Sequence, residues 1–349
     1  MGESERLALI REIENKRGSR LITYITIDRP GLSQPIDLDD LRVIERHLRL
    51  CLGTKAKKID LFLYTPGGYA IVPWALVSLY REFLGARPFS VLVPSRAFSA
   101  GTMISLGADE IIMSPSGNLG PIDFQLSGED GRIGVESVRA YFKLAQDMGL
   151  SSQRDKLQVF AMLAATTHPI NIGQIYRAWA ENERLAMLLL GSRRRPLSEK
   201  ANKEIADFLL RGVGDHSQTV RRTEARQMGI SFIHDSEEMG IEAAMNGLFD
   251  AYEELLALDV PFVRSDTYTI NDEGEAEPVR EIGPVALVES LDRLDVGYLK
   301  EGWRFWRSDV PADAPARQPA PQPAFEAEAQ ARFSVRWQPL RNTNVGRLR

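Results

Sequence analysis

Cysteine and histidine are scarce in this chain, one and four among 349 residues. With Cys51 alone, no internal disulfide can form, which fits a reducing compartment. Cys51 stands in an apolar helical stretch beside Leu48, Leu50 and Leu52, and plain core packing is expected for it. No cluster of His and Cys and no His-Glu-x-x-His pattern offers a metal site. No Gly-x-x-x-x-Gly-Lys loop is present to cradle the phosphates of ATP, so no cofactor is expected. Long apolar runs are missing too. Nothing approaches the roughly 20 residues that cross a bilayer, and residues 186–190, a representative run, fall far short. The N-terminal stretch is too charged for a signal peptide, and Arg6 stands where a myristoylation signal needs Ser or Thr. A positive excess is also lacking: the net charge of −5 argues against nucleic-acid binding over the whole surface. A soluble, cytoplasmic protein is the expectation. Its 44% hydrophobic and 26% charged residues are ordinary for a folded chain, and its length suits one large domain with appendages.

What is present is regular. Residues 3–17 carry Leu7, Leu9, Ile10 and Ile13 near helical spacing, and 21–27 reads as a strand. A helix over 38–52 follows, with Asp37 as its N-cap. Strand 60–64 precedes helix 69–84, whose Val72, Leu76, Leu79 and Phe83 share one face. Strand 90–93 precedes a short buried helix, and strand 110–113 comes next. This alternation predicts parallel strands in an α/β core. Residues 137–210 are mostly helical, broken at Thr167-His168-Pro169, and helix 198–211 ends at Gly212. A last unit over 220–233 leads into helix 236–256. The expected boundaries are an N-terminal helix (1–20), a core with a helical insertion (21–257), and an appended segment (258–309) that carries a turn at 271–275 and Trp303, Phe305 and Trp306. A Pro/Ala-rich linker (310–330) and a basic tail (331–349), open to disorder or to docking on a protein partner, complete the chain.

Chemistry concentrates in three small-residue features. Strand 60–64 runs into Thr65-Pro66-Gly67-Gly68, where two glycines leave backbone N–H groups unobstructed. Strand 90–93 breaks at Pro94, and Ser99-Ala100-Gly101-Thr102 opens a helix whose first N–H groups have no intrahelical acceptor. The third feature is Asn118-Leu119-Gly120-Pro121-Ile122-Asp123. A serine beside free amides is the outline of an acyl-transfer site.

Taken together, LFLYTPGG at 61–68, SRAFSAGTMISLGADEIIMSPSGNLGPID at 95–123 and HSQTVRRTEARQMGI at 216–230 resemble the serine dehydrogenase proteinase family. That family is related to the Clp protease proteolytic subunit and signal peptide peptidase A. The resemblance covers about residues 5–255. It implies a ClpP/crotonase-like spiral of β-β-α units with a helical extension. It further implies a peptidase acting on peptide or protein substrates through Ser99, an oxyanion hole from the amides of Gly67 or Gly68 and of Ala100, and assembly as homo-oligomers built on trimers or hexamers.

The chain departs from these relatives at the base. Where the Clp subunit has a histidine this chain has Ile122-Asp123, and where membrane-associated relatives have a lysine it has Ser137. His216, in a loop before the helix with Glu224 and Ala225, is the favoured base, with Asp123 as the acid that orients it. Incidental placement beside a helix cap at Asp215 or Ser217 is the alternative for His216. His168 is the second candidate, and Lys143 the third if burial lowers its pKa. His47, among Arg42, Glu45 and Arg46, is expected on a solvated face, and His234, next to Asp235, at the surface. Asp109 and Glu110 are read as structural. Two rival readings stay open: a crotonase-type acyl-CoA enzyme using Asp123, and an inactive scaffold.

Overall fold

The computed structural model describes residues 2–53, 56–122, 125–128, 131–167, 169–212, 219–262, 268–270, 276–278, 281–300 and 335–339. The chain opens with α1 (Glu3–Arg17), β1 (Arg20–Thr26), a small hairpin of β2 (Asp28–Arg29) and β3 (Leu32–Ser33), and α2 (Asp40–Gly53). Then come β4 (Ile59–Tyr64), α3 (Val72–Leu84), β5 (Phe89–Val93), β6 (Arg96–Ala97), α4 (Ala100–Leu106), β7 (Glu110–Met113) and β8 (Asn118–Leu119). A hairpin of β9 (Gln125–Gly128) and β10 (Gly131–Gly134) leads into α5 (Val135–Asp147), α6 (Gln153–Thr166), α7 (Pro169–Gly191) and α8 (Glu199–Asp207), the last extended by a π-helical turn over Phe208–Gly212. The chain continues through β11 (Val220–Arg221), α9 (Arg222–Gln227), β12 (Ile233–Asp235) and α10 (Glu242–Leu256). It closes with β13 (Tyr268–Ile270), β14 (Ala276–Pro278), β15 (Glu281–Ser290), β16 (Arg293–Lys300) and β17 (Val335–Pro339).

One sheet organises the molecule, in the order β12-β7-β5-β4-β1-β15-β16-β17. The first five strands are mutually parallel, and the last three join antiparallel. Parallel strands covered on both faces read as continuous apolar runs. β4 is buried at all six positions and alternates between two cores. Ile59, Leu61 and Leu63 face the cluster that holds residues of α2, α3, α4, α7 and α8. Phe62 and Tyr64 face the cluster that holds residues of α1 and α10. Asp60 interrupts the run on that second side, and its carboxylate is satisfied by Arg17 (Nε, 2.8 Å) and Ser19 (Oγ, 2.8 Å). A second, three-stranded sheet, β11-β8-β6, lies at the C-terminal end of β4, to which the Thr65–Ala97 bridge joins it.

The structure corrects several local expectations. Helix α2 begins at Asp40, two residues later than expected, and the side chain that organises its start is Asp40, which accepts the Tyr24 hydroxyl and the Asp37 N–H. Helix α3 begins at Val72 rather than at 69, and the stretch before it is tied to Ile36, whose O accepts the Tyr69 N–H across the bridge between Ile36 and Gly68. His47 is not solvated: it is fully buried, with Nδ1 2.9 Å from Ser290 Oγ and Nε2 3.1 Å from Asp295 Oδ2. His234 lies within β12 and is half-buried rather than at the surface. Cys51 is core, as expected, and burial pushes its thiol up to about 12. Within the basic tail, residues 335–339 pair with β16 as β17. Trp303, Phe305, Trp306 and the linker lie outside the described residues.

Candidate active site

Ser99 is the N-cap residue of α4, at φ 49° and ψ −109°. A non-glycine residue with positive φ is uncommon, and in this chain only Ser99 and Ala257 have it among the described residues. The conformation arises from a tight reversal after β6: Phe98 donates its N–H to Thr65 O (3.1 Å), while Phe98 O accepts from Gly101 N–H (2.7 Å) and Ser99 O from Met103 N–H (3.1 Å). Ser99 is thereby lifted out of both strand and helix, and it is half-buried while Ala100 behind it is 1% exposed. The helix itself is packed to its limit. A Cβ on Gly101 would stand 2.6 Å from Thr65 Cγ2, and one on Gly107 would stand 2.8 Å from Val77.

The Pro66-Gly67-Gly68 turn lies against this serine. Gly67, at φ +120°, passes so close that a Cβ there would meet Ser99 Cβ at 2.8 Å and Ser99 Oγ at 3.3 Å. Gly68 is wedged on its other side by Ile36, whose backbone N would lie 2.5 Å from an added Cβ and whose backbone O would lie closer still. The two glycines are not equivalent as donors. The Gly67 N–H is donated to Thr65 Oγ1 (3.1 Å), whereas the N–H groups of Gly68 and Ala100 have no acceptor among the described residues. Thr65 and Thr26, whose hydroxyls are 2.8 Å apart, are site-supporting residues that the sequence reading missed. A threonine ending a strand is unremarkable in sequence, and only the close approach of β1 to β4 reveals the pair.

The third small-residue feature is fastened to the same place. Thr102 Oγ1 lies 2.8 Å from Ala97 O and 2.9 Å from Gly120 O and accepts from Gly120 N–H (3.0 Å). Ile122 donates its N–H to Leu209 O (3.0 Å). Asp123, His168 and His216 lie outside the described residues. No described side chain hydrogen-bonds the Ser99 hydroxyl, and Lys143 is exposed on α5. The charged pair nearest in sequence is Arg96 with Asp28 (2.6 Å), the guanidinium lying over Tyr64 and Phe98 at 5.4 and 5.8 Å. Two grooves, of about 320 and 590 Å³, lie elsewhere: one between α5 and α7 at Phe142, Ile175 and Trp179, the other between α5 and α6 at Lys143, Val159 and Phe160. Among the described residues no group of three His, Cys, Asp or Glu is placed to hold a metal, and no helix is long and apolar enough to cross a membrane.

A mostly parallel sheet, helices on both faces and a serine lifted at a strand-to-helix turn beside a Pro-Gly-Gly loop define a ClpP-like α/β protein. The chain belongs to the family described as ClpP-like SDH-type serine proteinase, which matches residues 2–147. It is similar to two uncharacterized proteins of Methanocaldococcus jannaschii. One is 30% identical over 233 residues, covering 64% of this chain and 72% of the relative. The other is 28% identical over 233 residues, covering 65% and 70%. Similar solved structures include a lysine-to-alanine mutant of the 1510-N membrane-bound stomatin-specific protease in complex with a substrate peptide (17% identity, TM-score 0.38, 61% of this chain and 75% of that one). Another is the 1510-N membrane protease of Pyrococcus horikoshii specific for a stomatin homolog (26% identity, TM-score 0.23, 29% and 49%).

Proposed function

We propose that this protein is a serine peptidase whose Ser99 hydroxyl attacks a peptide carbonyl. The Oγ–C bond forms as the hydroxyl proton passes to a base, and the amides of Gly68 and Ala100 hold the negative oxygen. Collapse breaks the C–N bond, the leaving amine takes the proton, and an acyl-enzyme remains. Water then attacks the ester, its proton going to the same base, and the acid is released with Ser99 restored. The observation that carries the reading is the lifted Ser99 together with the amides of Ala100 and Gly68, neither of which has an acceptor among the described residues.

His216 is the base in this reading, with Asp123 orienting it, and His168 is the alternative. The anchoring of the flanking chain supports His216. Ala97 pairs with Leu119 and Leu119 with Val220, and Ile122 is bonded to Leu209. The described residues flanking His216 are therefore tied to the same region, Leu209 to Ile122 and Val220 through β8 to β6, about two strand spacings away, a span that four residues of chain can cover. The protein is further read as cytoplasmic and as a homo-oligomer, a trimer or hexamer, with a peptide or protein as substrate.

A fluorophosphonate probe tests the reaction. Adduct formation at Ser99, abolished in Ser99→Ala and slowed about a hundredfold or more in His216→Ala but not in His168→Ala, is expected for a serine nucleophile served by that base. An unlabelled wild-type protein that turns over an acyl-CoA in an Asp123-dependent manner would belong to the crotonase-type reaction instead. One with neither activity would be a scaffold.

A further inference from the structure

We infer that Thr65, held by Thr26, is the positioning residue of the oxyanion hole. This rests on the peptidase reading of Ser99. The Thr65 hydroxyl is fully buried, and its hydrogen-bonding capacity is used up. Its oxygen accepts from Thr26 Oγ1 (2.8 Å) and from Gly67 N–H (3.1 Å), and its own proton faces Gly67 O (3.3 Å). The hydroxyl thus grips the Gly67 N–H and, at Gly67 O, adds to the shorter bond from Ile36 N–H (2.9 Å), in a local turn of the kind Ser and Thr favour.

That grip has two consequences at the site. It consumes the Gly67 amide, so that amide cannot serve an oxyanion. It also holds Gly67 close to Ser99, with room for no Cβ between them, and leaves the next amide, at half-buried Gly68, without an acceptor among the described residues. The threonine methyl does a separate job. Its Cγ2 lies where Gly101 leaves space, in the first turn of the nucleophile helix. Its backbone bridges to β6 through Thr65 N–H to Arg96 O (3.2 Å) and Phe98 N–H to Thr65 O (3.1 Å). One residue therefore touches both halves of the site, the amide loop through its hydroxyl and the Ser99 turn through its methyl and backbone. Thr26 completes the set by fixing the hydroxyl rotor from β1.

The hydroxyl and methyl can be separated by substitution. Thr65→Val keeps the branched shape and removes the grip, whereas Thr65→Ser keeps the grip and removes the methyl. Thr65→Val is expected to slow fluorophosphonate labelling of Ser99, and kcat for a peptide, by about tenfold to a hundredfold with KM little changed, as for a misaligned transition-state donor. Thr65→Ser is expected within about threefold of wild type, which a purely structural role for the side chain would not predict. Hydrogen exchange across residues 61–69 reads the loop without chemistry: the Gly67 amide should exchange at least about tenfold faster in Thr65→Val and stay protected in Thr65→Ser. Thr26→Val, which leaves the Gly67 bond in place, should give a smaller change of the same sign and serves if Thr65→Val does not fold. Wild-type labelling and exchange in Thr65→Val would overturn the inference and leave Ser99 as nucleophile. If wild-type Ser99 does not react at all, the peptidase reading falls, and the exchange of Gly67 alone decides whether Thr65 holds the loop.

Discussion

At the scale of single residues, the site is a place where ordinary preferences are broken. Ser99 adopts φ 49°, a region disfavoured for a residue with a Cβ, at a cost of about 1–3 kcal/mol that the surrounding hydrogen bonds must offset. Glycine has no such penalty, so Ser99→Gly should be more stable than Ser99→Ala by about 1 kcal/mol in urea unfolding, both being inactive. Equal stabilities would mean that the turn is not strained. Gly68 breaks the opposite rule, since it leaves no volume for a side chain. Gly68→Ala forces a methyl to within 2.5 Å of the Ile36 backbone, which cannot move as a flexible side chain would. The variant should lose about 1–3 kcal/mol and its Ser99 labelling together, measured by urea midpoint and fluorophosphonate rate. The run Ser99-Ala100-Gly101-Thr102 was legible in sequence because four small residues in a row contribute little to a core, and their use at a strand-to-helix turn is to let backbones approach closely. The unequal roles of Gly67 and Gly68 were not, because they depend on Thr65 and on Ile36, which is more than 30 residues away along the chain.

At the scale of elements, α2 is tied to the β15–β16 hairpin by buried polar groups. His47 bridges Ser290 and Asp295, and Arg293 forks onto the same carboxylate. Burial alone would raise the Asp295 pKa, but the bonds from His47 and Arg293 outweigh it and hold the carboxyl at about 2. The folded value lies below the unfolded one of about 3.9, so the contribution to stability is present above that unfolded value and fades as pH falls towards the folded one. The resulting gap between wild type and Asp295→Asn should be about 2–3 kcal/mol at pH 7 and roughly half that at pH 3. Urea titrations of both proteins across that range check it, and a gap that is constant with pH would contradict the assignment. His47 was misplaced in the sequence reading because its neighbours Arg42, Glu45 and Arg46 are charged. The better signal was helical spacing, since 47 falls three or four residues from Val43, Ile44 and Cys51, all buried on one face. The parallel strands were legible from their unbroken apolar runs. The pairing of β1 with β15 was not, because nothing local in Arg20–Thr26 selects a partner 260 or more residues distant.

At the scale of the whole molecule, burial is unevenly distributed. The sheet strands and the helices packed on them hold most of the side chains that are wholly excluded from water. Across α5, α6 and the first turns of α7, only Ala145, Val159 and Ile175 are buried among the described side chains, and eight large apolar residues from Leu144 to Tyr176 stand exposed. Met148, Leu157, Met162, Ile170 and Tyr176 are each between 64% and 70% exposed, the largest such concentration among the described residues. A monomer rarely leaves so much apolar surface in one region, and coverage by further copies of the chain would return it to an interior environment. The expectation is that the purified protein sediments as an oligomer at micromolar concentration, and that Leu157→Glu with Met162→Glu shifts it towards the monomer. Because those side chains are each two-thirds exposed within their own chain, the urea midpoint of the dissociated monomer should stay within about 0.5 kcal/mol of that of the wild type at high dilution. Sedimentation velocity and urea unfolding on the same samples separate the outcomes. A wild-type monomer at every concentration would remove assembly as the reason for this surface. A double variant that dissociates and also unfolds would place the two side chains in the monomer's own core, against their exposure.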